Sequence, residues 1–281
     1  MGIGEAFMRH YMKLAADVTG HSKDSNHWKD KVGEWGMPDI VGLDWPWNMD
    51  ELYEAGRKLP NNKAPGEDGI VAEWMKELLP VKRDDGSMSP PSHMAQVVLC
   101  LLNKIWSEGY IPSQWRNATV VSILKKGDPA DLDNYRGISL IPVPFKLLLT
   151  MITIRIQRAM EALGIFTREQ AGFRWEEECP GQAAALVEMV QRRAAIARPT
   201  YMLFVDLSKA YDTVPHEALF AKLHQIGIRG RMLTFIKALY ASSTISVQMG
   251  AFLSEAFPLM RGLRQGCPLS PVLFDVFDND W

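Results

Sequence analysis

The feature that most constrains this chain is an apolar run that ends abruptly on a carboxylate. The sequence from Tyr201 to Leu219 reads YMLFVDLSKAYDTVPHEAL, with Asp206 directly after the run and Asp212 soon after it. This pattern predicts a buried strand with Asp206 at its tip, followed by a helix that begins near Pro215. A buried carboxylate is costly unless a charge or several donors compensate it, and a bound Mg²⁺ would do so. Asp206 could instead cap the following helix, so the pattern alone leaves both interpretations open.

Composition predicts a globular protein. The 281 residues are 47% hydrophobic and 23% charged, enough apolar content to bury one large core or two smaller ones. No apolar run approaches the roughly 18 residues of a membrane span. The three cysteines, Cys100, Cys179 and Cys267, lie far apart and form no ligand cluster, which favours neither a disulfide nor a zinc site. We therefore expect an intracellular, reduced environment, no membrane contact and no disulfide partner.

Charge is distributed unevenly along the chain. The net charge is only −2, yet residues 1–90 carry 11 basic and 16 acidic side chains, whereas residues 116–174 carry 9 basic and 5 acidic ones. The second block is a candidate surface for binding phosphate groups. An ordinary solvated face would have the same composition, so this alternative stays open.

Hydrophobic periodicity predicts an irregular mixture of helices and strands. Seven apolar residues recur at helical spacing from Met94 to Trp106, and Gly109 follows, which predicts a helix whose apolar stripe faces the core. The other predicted elements are a hairpin of strands at 118–124 and 135–141, a long helix at 145–163, a helix at 181–197, and a strand pair at TISVQMG and EAFPLM. This irregular order favours an α+β fold over a regular succession of βαβ units.

Two segments have the composition of weakly structured chain. Residues 1–60 contain several Trp residues and turn-forming pairs, which predicts a loosely organised N-terminal extension. Residues 80–92 are rich in Pro, Ser and Asp and predict an exposed loop.

Five stretches in order resemble one protein family. They are NNKAPGEDGI (61–70), SILKKGDPADLDNYRGISLI (122–141), EQAGFR (169–174), FVDLSKAYDTVPH, and RGLRQGCPLSPVLFDVF. In this order they resemble segments of the reverse transcriptases of non-LTR (LINE-like) retrotransposons, and the last two resemble polymerase motifs A and B. The resemblance extends over roughly residues 60 to 281.

The resemblance implies a fold and an activity. The fold would be the polymerase right hand, with fingers, an incomplete palm and no thumb. Its parts would be an N-terminal extension at 1–60, a fingers-like region at 61–199, and a partial palm with motifs A and B at 200–281, with fingers and palm interleaved. The activity would be RNA-directed DNA polymerisation, with an RNA template, a DNA primer, deoxynucleoside triphosphates and Mg²⁺ or Mn²⁺, in the nucleus or cytoplasm.

Motif A supplies the first set of implied site residues. Asp206 matches the catalytic aspartate that binds both metal ions in the family, and the carbonyl of Leu207 matches a neighbouring metal contact. Tyr211 matches the bulky residue beneath the sugar of the incoming nucleotide, where it would clash with a ribose 2′-hydroxyl. A helix-packing aromatic is the alternative interpretation of Tyr211.

Basic and motif B residues supply the rest. Lys125, Lys126 and Arg136 fall in the hairpin that holds the triphosphate in the family, a task suited to the planar fork of arginine. Gln265 and Gly266 match the pair near the nascent base pair, where glycine permits close backbone approach. Arg174 is a candidate for template contact, with a surface salt bridge as its alternative.

The sequence also departs from the family pattern. Relatives usually read NYRPISL where this chain has NYRGISL, so Gly137 replaces a rigid proline and is expected to loosen the hairpin. Motif C, an aromatic-x-Asp-Asp sequence, does not follow motif B within the 281 residues. We therefore expect a domain truncated before motif C, whose single predicted metal carboxylate does not support polymerisation by this chain alone. The alternative is a catalytically dead remnant that binds RNA or DNA through its basic region.

Overall fold

A computed structural model of the protein describes residues 2–29, 31–32, 37–80, 89–174 and 177–279. The helices in these residues are α1 (Ile3–Ala15), α2 (Ser25–Lys29), α3 (Met49–Lys58), α4 (Ala72–Glu77), α5 (His93–Glu108), α6 (Ser113–Arg116), α7 (Val143–Ala162), α8 (Cys179–Ala195), α9 (Ala210–Thr213), α10 (His216–Gln225), α11 (Gly230–Ala241) and α12 (Ser270–Asp278). The strands are β1 (Asn117–Leu124), β2 (Tyr135–Leu140), β3 (Thr244–Met249), β4 (Phe252–Leu253) and β5 (Phe257–Pro258). A mixture of helices with one sheet confirms the predicted combination of α and β structure.

Local signals determine the ends of the predicted helices. Helix α5 begins where the Ser92 side chain accepts a hydrogen bond from the Ala95 amide, and it ends at Gly109 with a φ of 63°. The long helix α7 ends shortly before Gly164, whose φ is 61°. These two helices and α8, predicted at 181–197, are confirmed.

The sheet is built on the predicted hairpin. Strands β1 and β2 pair antiparallel, with Ser122 opposite Gly137 and Ile123 opposite Arg136, which confirms the hairpin. Strand β3 pairs with β1 in parallel, and β5 pairs with β3 antiparallel, as the strand pair predicted at TISVQMG and EAFPLM requires. The strand order is β2-β1-β3-β4, with β5 also on β3. The hairpin therefore lies at one side of the sheet, and among the described residues β2 pairs only with β1.

The core surrounds helix α7. Its side chains Phe145, Leu148 and Ile152 have no exposed surface, and α11 and α12 contribute further buried residues to the same cluster. Burying a side chain of this size stabilises a fold by about 1.5–3 kcal/mol, so this cluster dominates the stability.

The apolar stripe of α5 is only partly core. Leu102, Ile105 and Trp106 are buried as predicted, but Met94 and Leu101 are about half exposed, as is Val97. The prediction that the whole stripe faces the core was therefore wrong. The stripe is wider than the face that α5 presents to its neighbours, since periodicity gives the direction of an apolar face but not the extent of its cover.

The first sixty residues pack against the rest of the chain. In the described part of this segment Phe7, Tyr11, Trp47 and Leu52 belong to the hydrophobic core. The expectation of a loosely organised extension was therefore wrong. Helices α1 and α3 are amphipathic and bury their apolar faces, a pattern that the Trp-rich loops between them make hard to recognise in the sequence. The loop predicted at 80–92 lies mostly outside the described residues.

The strand predicted directly before Asp206 is not formed. Residues 201–205 have no strand structure, and Tyr201, Leu203 and Phe204 are between 79% and 92% exposed. An apolar segment forms a buried strand only if a neighbouring strand satisfies its backbone hydrogen bonds. No strand of the described residues pairs with 201–205, and the prediction of a buried strand was wrong for this reason.

Candidate nucleotide cleft

One cleft brings the separated motifs together. It has a volume of about 920 Å³ and lies between α1, the β1–β2 hairpin, the 206–212 segment and the 259–271 segment. Seven of the predicted site residues line it: Lys125, Arg136, Asp206, Leu207, Tyr211, Gln265 and Gly266. These residues come from three stretches that lie up to 141 positions apart in the sequence.

Two of the predicted site residues lie outside this cleft. Lys126 is exposed beside Lys125 but does not line the cavity. Arg174 donates to both carboxylate oxygens of Glu161 at 2.8 and 2.7 Å and to the carbonyls of Thr167 and Gln170. This ion pair corresponds to the alternative interpretation of Arg174, while contact with a template stays a prediction.

Backbone hydrogen bonds join motif A to motif B. The Leu263 amide donates to the Tyr211 carbonyl at 2.7 Å, and the Gly262 amide donates to the Val214 carbonyl at 2.8 Å. Gly262 has a φ of 87°, and a Cβ there would lie 2.9 Å from the Asp212 carbonyl oxygen. Only glycine fits this approach without strain. The turn after Asp206 is thereby held against the loop before α12, although residues 201–205 are not held in the sheet.

Tyr211 lies between the cleft and helix α12. Its ring stacks on Phe274, with centroids 5.1 Å apart and planes 14° apart. The side chain is half-buried, and burial raises the pKa of Tyr211 to about 12, with a smaller contribution from the Asp275 charge. The hydroxyl is therefore neutral at physiological pH, and the stacked ring has a defined position in the cleft wall.

Gln265 and Gly266 contact strand β2 closely. The Ser139 amide donates to the Gln265 carbonyl at 2.7 Å, and the Gln265 side-chain amide lies 3.5 Å from a carboxylate oxygen of Asp212. Gly266 has a φ of 95°, and a Cβ there would lie 3.0 Å from the Ser139 carbonyl oxygen. Burial raises the pKa of the Asp212 carboxyl, an effect that the Gln265 hydrogen bond and the Lys209 charge oppose.

Asp206 is exposed rather than buried. The argument that a metal must compensate a buried carboxylate therefore does not apply to it. Among the described residues no group of three or more His, Cys, Asp or Glu side chains could hold a metal ion. The predicted metal contacts Asp206 and Leu207 do line the cleft. They offer one carboxylate and one carbonyl, so the remaining oxygens around an octahedral Mg²⁺ there would have to come from water, phosphate groups or further protein ligands.

The cleft contains charged residues that the sequence did not identify. Lys209, whose φ is 53°, donates to Asp133 of the hairpin turn at 2.7 Å, and His10 of α1 lies 4.0 Å from the same carboxylate. Arg261 also lines the cleft and donates to the Leu14 carbonyl. Lys209 lies three residues after Asp206, so its place near the cleft could have been inferred from the motif. One sequence feature could have indicated that α1 packs at the cleft, namely the i, i+4 spacing of Phe7 and Tyr11.

Ion pairs neutralise much of the basic block at 116–174. Arg155 forms a two-pronged ion pair with Glu51 and stacks over the ring of Trp47, whereas Arg158 pairs with Glu54. These partners come from the acidic N-terminal block, so part of the charge asymmetry along the sequence disappears in the fold. Three cations at the hairpin are exposed and form no ion pair with a carboxylate of the described residues: Lys125, Lys126 and Arg136.

The comparison with protein families identifies the fold family. Residues 123–280 match the family described as reverse transcriptase (RNA-dependent DNA polymerase). The chain belongs to the reverse transcriptase family. The resemblance inferred from the five stretches is thereby confirmed, and the family match includes the hairpin, motif A and motif B.

Relatives come from mobile elements. The chain is 27% identical over 233 residues to the RNA-directed DNA polymerase from mobile element jockey of Drosophila melanogaster. This alignment covers 83% of the chain and 24% of the relative. It is 30% identical over 255 residues to the putative 115 kDa protein in type-1 retrotransposable element R1DM of Drosophila melanogaster. This alignment covers 87% of the chain and 22% of the relative. A third relative, the transposon TX1 uncharacterized 149 kDa protein of Xenopus laevis, is 27% identical over 83% of the chain and 17% of its own length. The chain thus spans about a quarter or less of these relatives.

Two further findings concern membrane-spanning helices and the cysteines. The described residues contain no helix long and apolar enough to cross a membrane. Cys100 and Cys179 are exposed, Cys267 is buried, and all three are free thiols.

Arg264, next to Gln265, is buried and donates to the carbonyls of Trp115 and Arg116 and to the Ser243 hydroxyl.

Proposed function

We propose that this chain is the nucleotide-binding part of an RNA-directed DNA polymerase that copies an RNA template from a DNA primer. The observation that carries the proposal is the cleft, because Lys125, Arg136, Tyr211 and Gln265 line it together although they belong to three separate stretches. Family membership supports the reaction class. The fingers-like region at 61–199 and the partial palm at 200–281 are part of this proposal, with α1 added to the cleft wall.

The cleft residues fall into three roles. Lys125 and Arg136 extend from the hairpin into the cleft and bind the triphosphate, for which charge-assisted hydrogen bonds are the appropriate contacts. Tyr211 lies beneath the sugar, and its stacked ring is rigid enough to discriminate against a 2′-hydroxyl. Gln265 and Gly266 lie beside the nascent base pair, and the missing Cβ of Gly266 permits their close contact with Ser139 of β2.

Asp206 and Leu207 supply one side of a divalent metal site. Both residues line the same cleft as Lys125 and Arg136, and Mg²⁺ or Mn²⁺ bound there would neutralise charge on the phosphates. The remaining protein ligands are not present as a cluster in the described residues. For this reason we assign nucleotide binding, rather than the chemical step, to the part of the chain described above.

The proposal is tested by the affinity for a deoxynucleoside triphosphate. We expect Lys125→Ala and Arg136→Ala each to weaken binding by about 10- to 100-fold, because each removes charge-assisted hydrogen bonds worth about 1.5–3 kcal/mol. Lys126→Ala is the matched control, since Lys126 has the same side chain as Lys125 and is its neighbour in sequence, but does not line the cleft. Its affinity should stay within about twofold of the wild-type chain. Equal losses for Lys125→Ala and Lys126→Ala would contradict the proposal.

Binding of RNA or DNA without nucleotide selection is the alternative function. The ion pairs of Arg155, Arg158 and Arg174 leave fewer free cations in the basic block than the sequence suggests. The alternative requires that combined substitution of Lys125, Lys126 and Arg136 abolish strongly salt-dependent RNA binding. Triphosphate binding by the wild-type chain that is independent of RNA would instead favour our proposal.

A further inference from the structure

Helix α1 covers one face of the hairpin. Phe7 lies edge-on to Tyr135, with ring centroids 4.9 Å apart, and one turn later the Tyr11 hydroxyl accepts a hydrogen bond from the Ser122 hydroxyl at 3.2 Å. Phe7 and Tyr11 are buried, although the sequence predicts a loosely organised N-terminal extension for their segment. Four residues along α1 span about the same length as two residues along β2. The rings of Phe7 and Tyr11 therefore lie over Tyr135 and Gly137.

Gly137 makes this packing possible. It lies opposite Ser122 in the hairpin. A Cβ at Gly137 would lie 2.6 Å from Cε1 of Tyr11 and 2.8 Å from Cγ1 of Val120, closer than real Cβ contacts allow. Gly137 is not among the glycines with positive φ, so the requirement is steric and not conformational. The expectation that this glycine loosens the hairpin stays a prediction, and the structure gives a second reason for a glycine here, which is that the Tyr11 ring fills the space above it.

Helix α1 also reaches the motif B side of the cleft. The Met260 amide donates to the Ala15 carbonyl at 3.0 Å, and Arg261 Nε donates to the Leu14 carbonyl at 3.3 Å. His10, Tyr11 and Leu14 line the same cleft as Arg136. The helix therefore contacts both the hairpin and the loop before Gln265.

We propose that Tyr11 is a positioning residue of the nucleotide cleft: by packing on Gly137 it holds strand β2 so that Arg136 faces the triphosphate. This inference rests on the proposed function, because it assumes that the cleft binds a deoxynucleoside triphosphate. Arg136 directly precedes Gly137, so displacing the strand at Gly137 displaces the guanidinium as well. Tyr11 itself does not contact the ligand in this scheme.

The test is a double-substitution cycle on the full chain, with the affinity for a deoxynucleoside triphosphate as the readout. Gly137→Ala adds a methyl group where Tyr11 lies, and we expect affinity to fall about tenfold, the equivalent of one charge-assisted hydrogen bond. Tyr11→Ala removes the nearer of the two obstacles and leaves Val120, so the double variant should regain part of the affinity that Gly137→Ala alone loses. Tyr11→Phe retains the ring and should stay within about twofold of the wild-type chain.

Two controls separate positioning from general loss of structure. Gly181→Ala is the matched glycine control, since a Cβ at Gly181 in α8 meets nothing within 4 Å. Affinity for the corresponding deoxynucleoside without phosphates should change little in Gly137→Ala, because Arg136 acts on phosphate. Thermal unfolding of each variant shows whether it is folded at the temperature of the binding assay. If Gly137→Ala fails this check, Tyr11→Ala and Tyr11→Phe give the deciding comparison.

The possible outcomes are distinct. A loss in Gly137→Ala that Tyr11→Ala partly reverses supports the positioning role, as does a loss in Tyr11→Ala that Tyr11→Phe avoids. A wild-type chain that binds triphosphate, with all Tyr11 and Gly137 variants within twofold of it, overturns the positioning role alone. A wild-type chain without measurable triphosphate affinity contradicts the proposed function and the positioning role together.

Discussion

The β1–β2 hairpin and the segment before Asp206 have similar apolar sequences but different structures. Val120 in the hairpin is 4% exposed, whereas Val205 is 79% exposed. The hairpin finds its pairing partner within twenty residues, and α1 covers its face. Residues 201–205 have no pairing strand among the described residues. An apolar run thus predicts a tendency to be buried, while a strand forms only where a neighbouring strand is available.

Truncating one phenylalanine in the core helix α7, and one in the segment before Asp206, gives the largest expected difference. Phe145→Ala removes a fully buried ring from α7 and should lower the free energy of unfolding by about 3–5 kcal/mol. Phe204→Ala removes a ring that is 79% exposed and should change it by less than about 0.5 kcal/mol. Urea unfolding of the full chain measures both values. A large loss for Phe204→Ala would show that residues 201–205 are packed in solution.

The pH dependence of stability tests the packing under Tyr211. Asp275 on α12 is 2% exposed, and burial together with the Asp278 charge raises its pKa from 3.8 to about 7. Because the folded state holds this proton more tightly than the unfolded state, the Asp275 contribution to stability falls as pH rises from about 4 to about 7. Asp275→Asn should therefore raise the free energy of unfolding at pH 8 by roughly 1–3 kcal/mol relative to its effect at pH 4.

The contribution of His216 to stability changes with pH in the opposite direction. Burial lowers the pKa of His216 from 6.5 to about 4. The His216 contribution is therefore lost as pH falls from 6.5 toward 4, the reverse direction to Asp275. Unfolding curves of wild type and Asp275→Asn across this range separate the two groups. An Asp275→Asn effect that does not change with pH would contradict the assignment of a raised pKa to Asp275.

The smallest expected effect concerns sugar selection. Tyr211→Val shortens the side chain that we propose to lie beneath the sugar, and it should improve the affinity for a ribonucleoside triphosphate, relative to the deoxy form, by about tenfold or 1.4 kcal/mol. Tyr211→Phe keeps the ring that stacks on Phe274 and is expected to leave the ratio unchanged. Competitive binding of the two nucleotides measures the ratio. An unchanged ratio in Tyr211→Val would mean that Tyr211 serves only to pack α12.

Local signals explain most of what the sequence predicted correctly. The ends of α5 and α7 follow from Gly109 and Gly164, each in the left-handed conformation. The hairpin follows from two apolar runs with a polar turn between them. The convergence of Lys125, Tyr211 and Gln265 could be inferred only through the family resemblance, because nothing in their spacing brings three distant stretches together.

The errors arise where structure depends on distant partners. Residues 201–205 have strong strand propensity but no partner strand in the described part of the chain. The packing of α1 on the hairpin depends on the contact between Tyr11 and Gly137, which are 126 positions apart. Read alone, Gly137 indicates flexibility. Its role in packing becomes visible only once the helix lies above it.

Photo-crosslinking tests the central claim most directly, that the hairpin and motif B form opposite walls of one nucleotide cleft. The full chain would be irradiated with a deoxynucleoside triphosphate that carries an azido group on its base, and the labelled peptides would be identified by mass spectrometry. We predict labelling in 135–139 and in 265–271, which excess unmodified deoxynucleoside triphosphate suppresses. Labelling confined to the exposed helix α8, or labelling that excess nucleotide does not suppress, would contradict the claim.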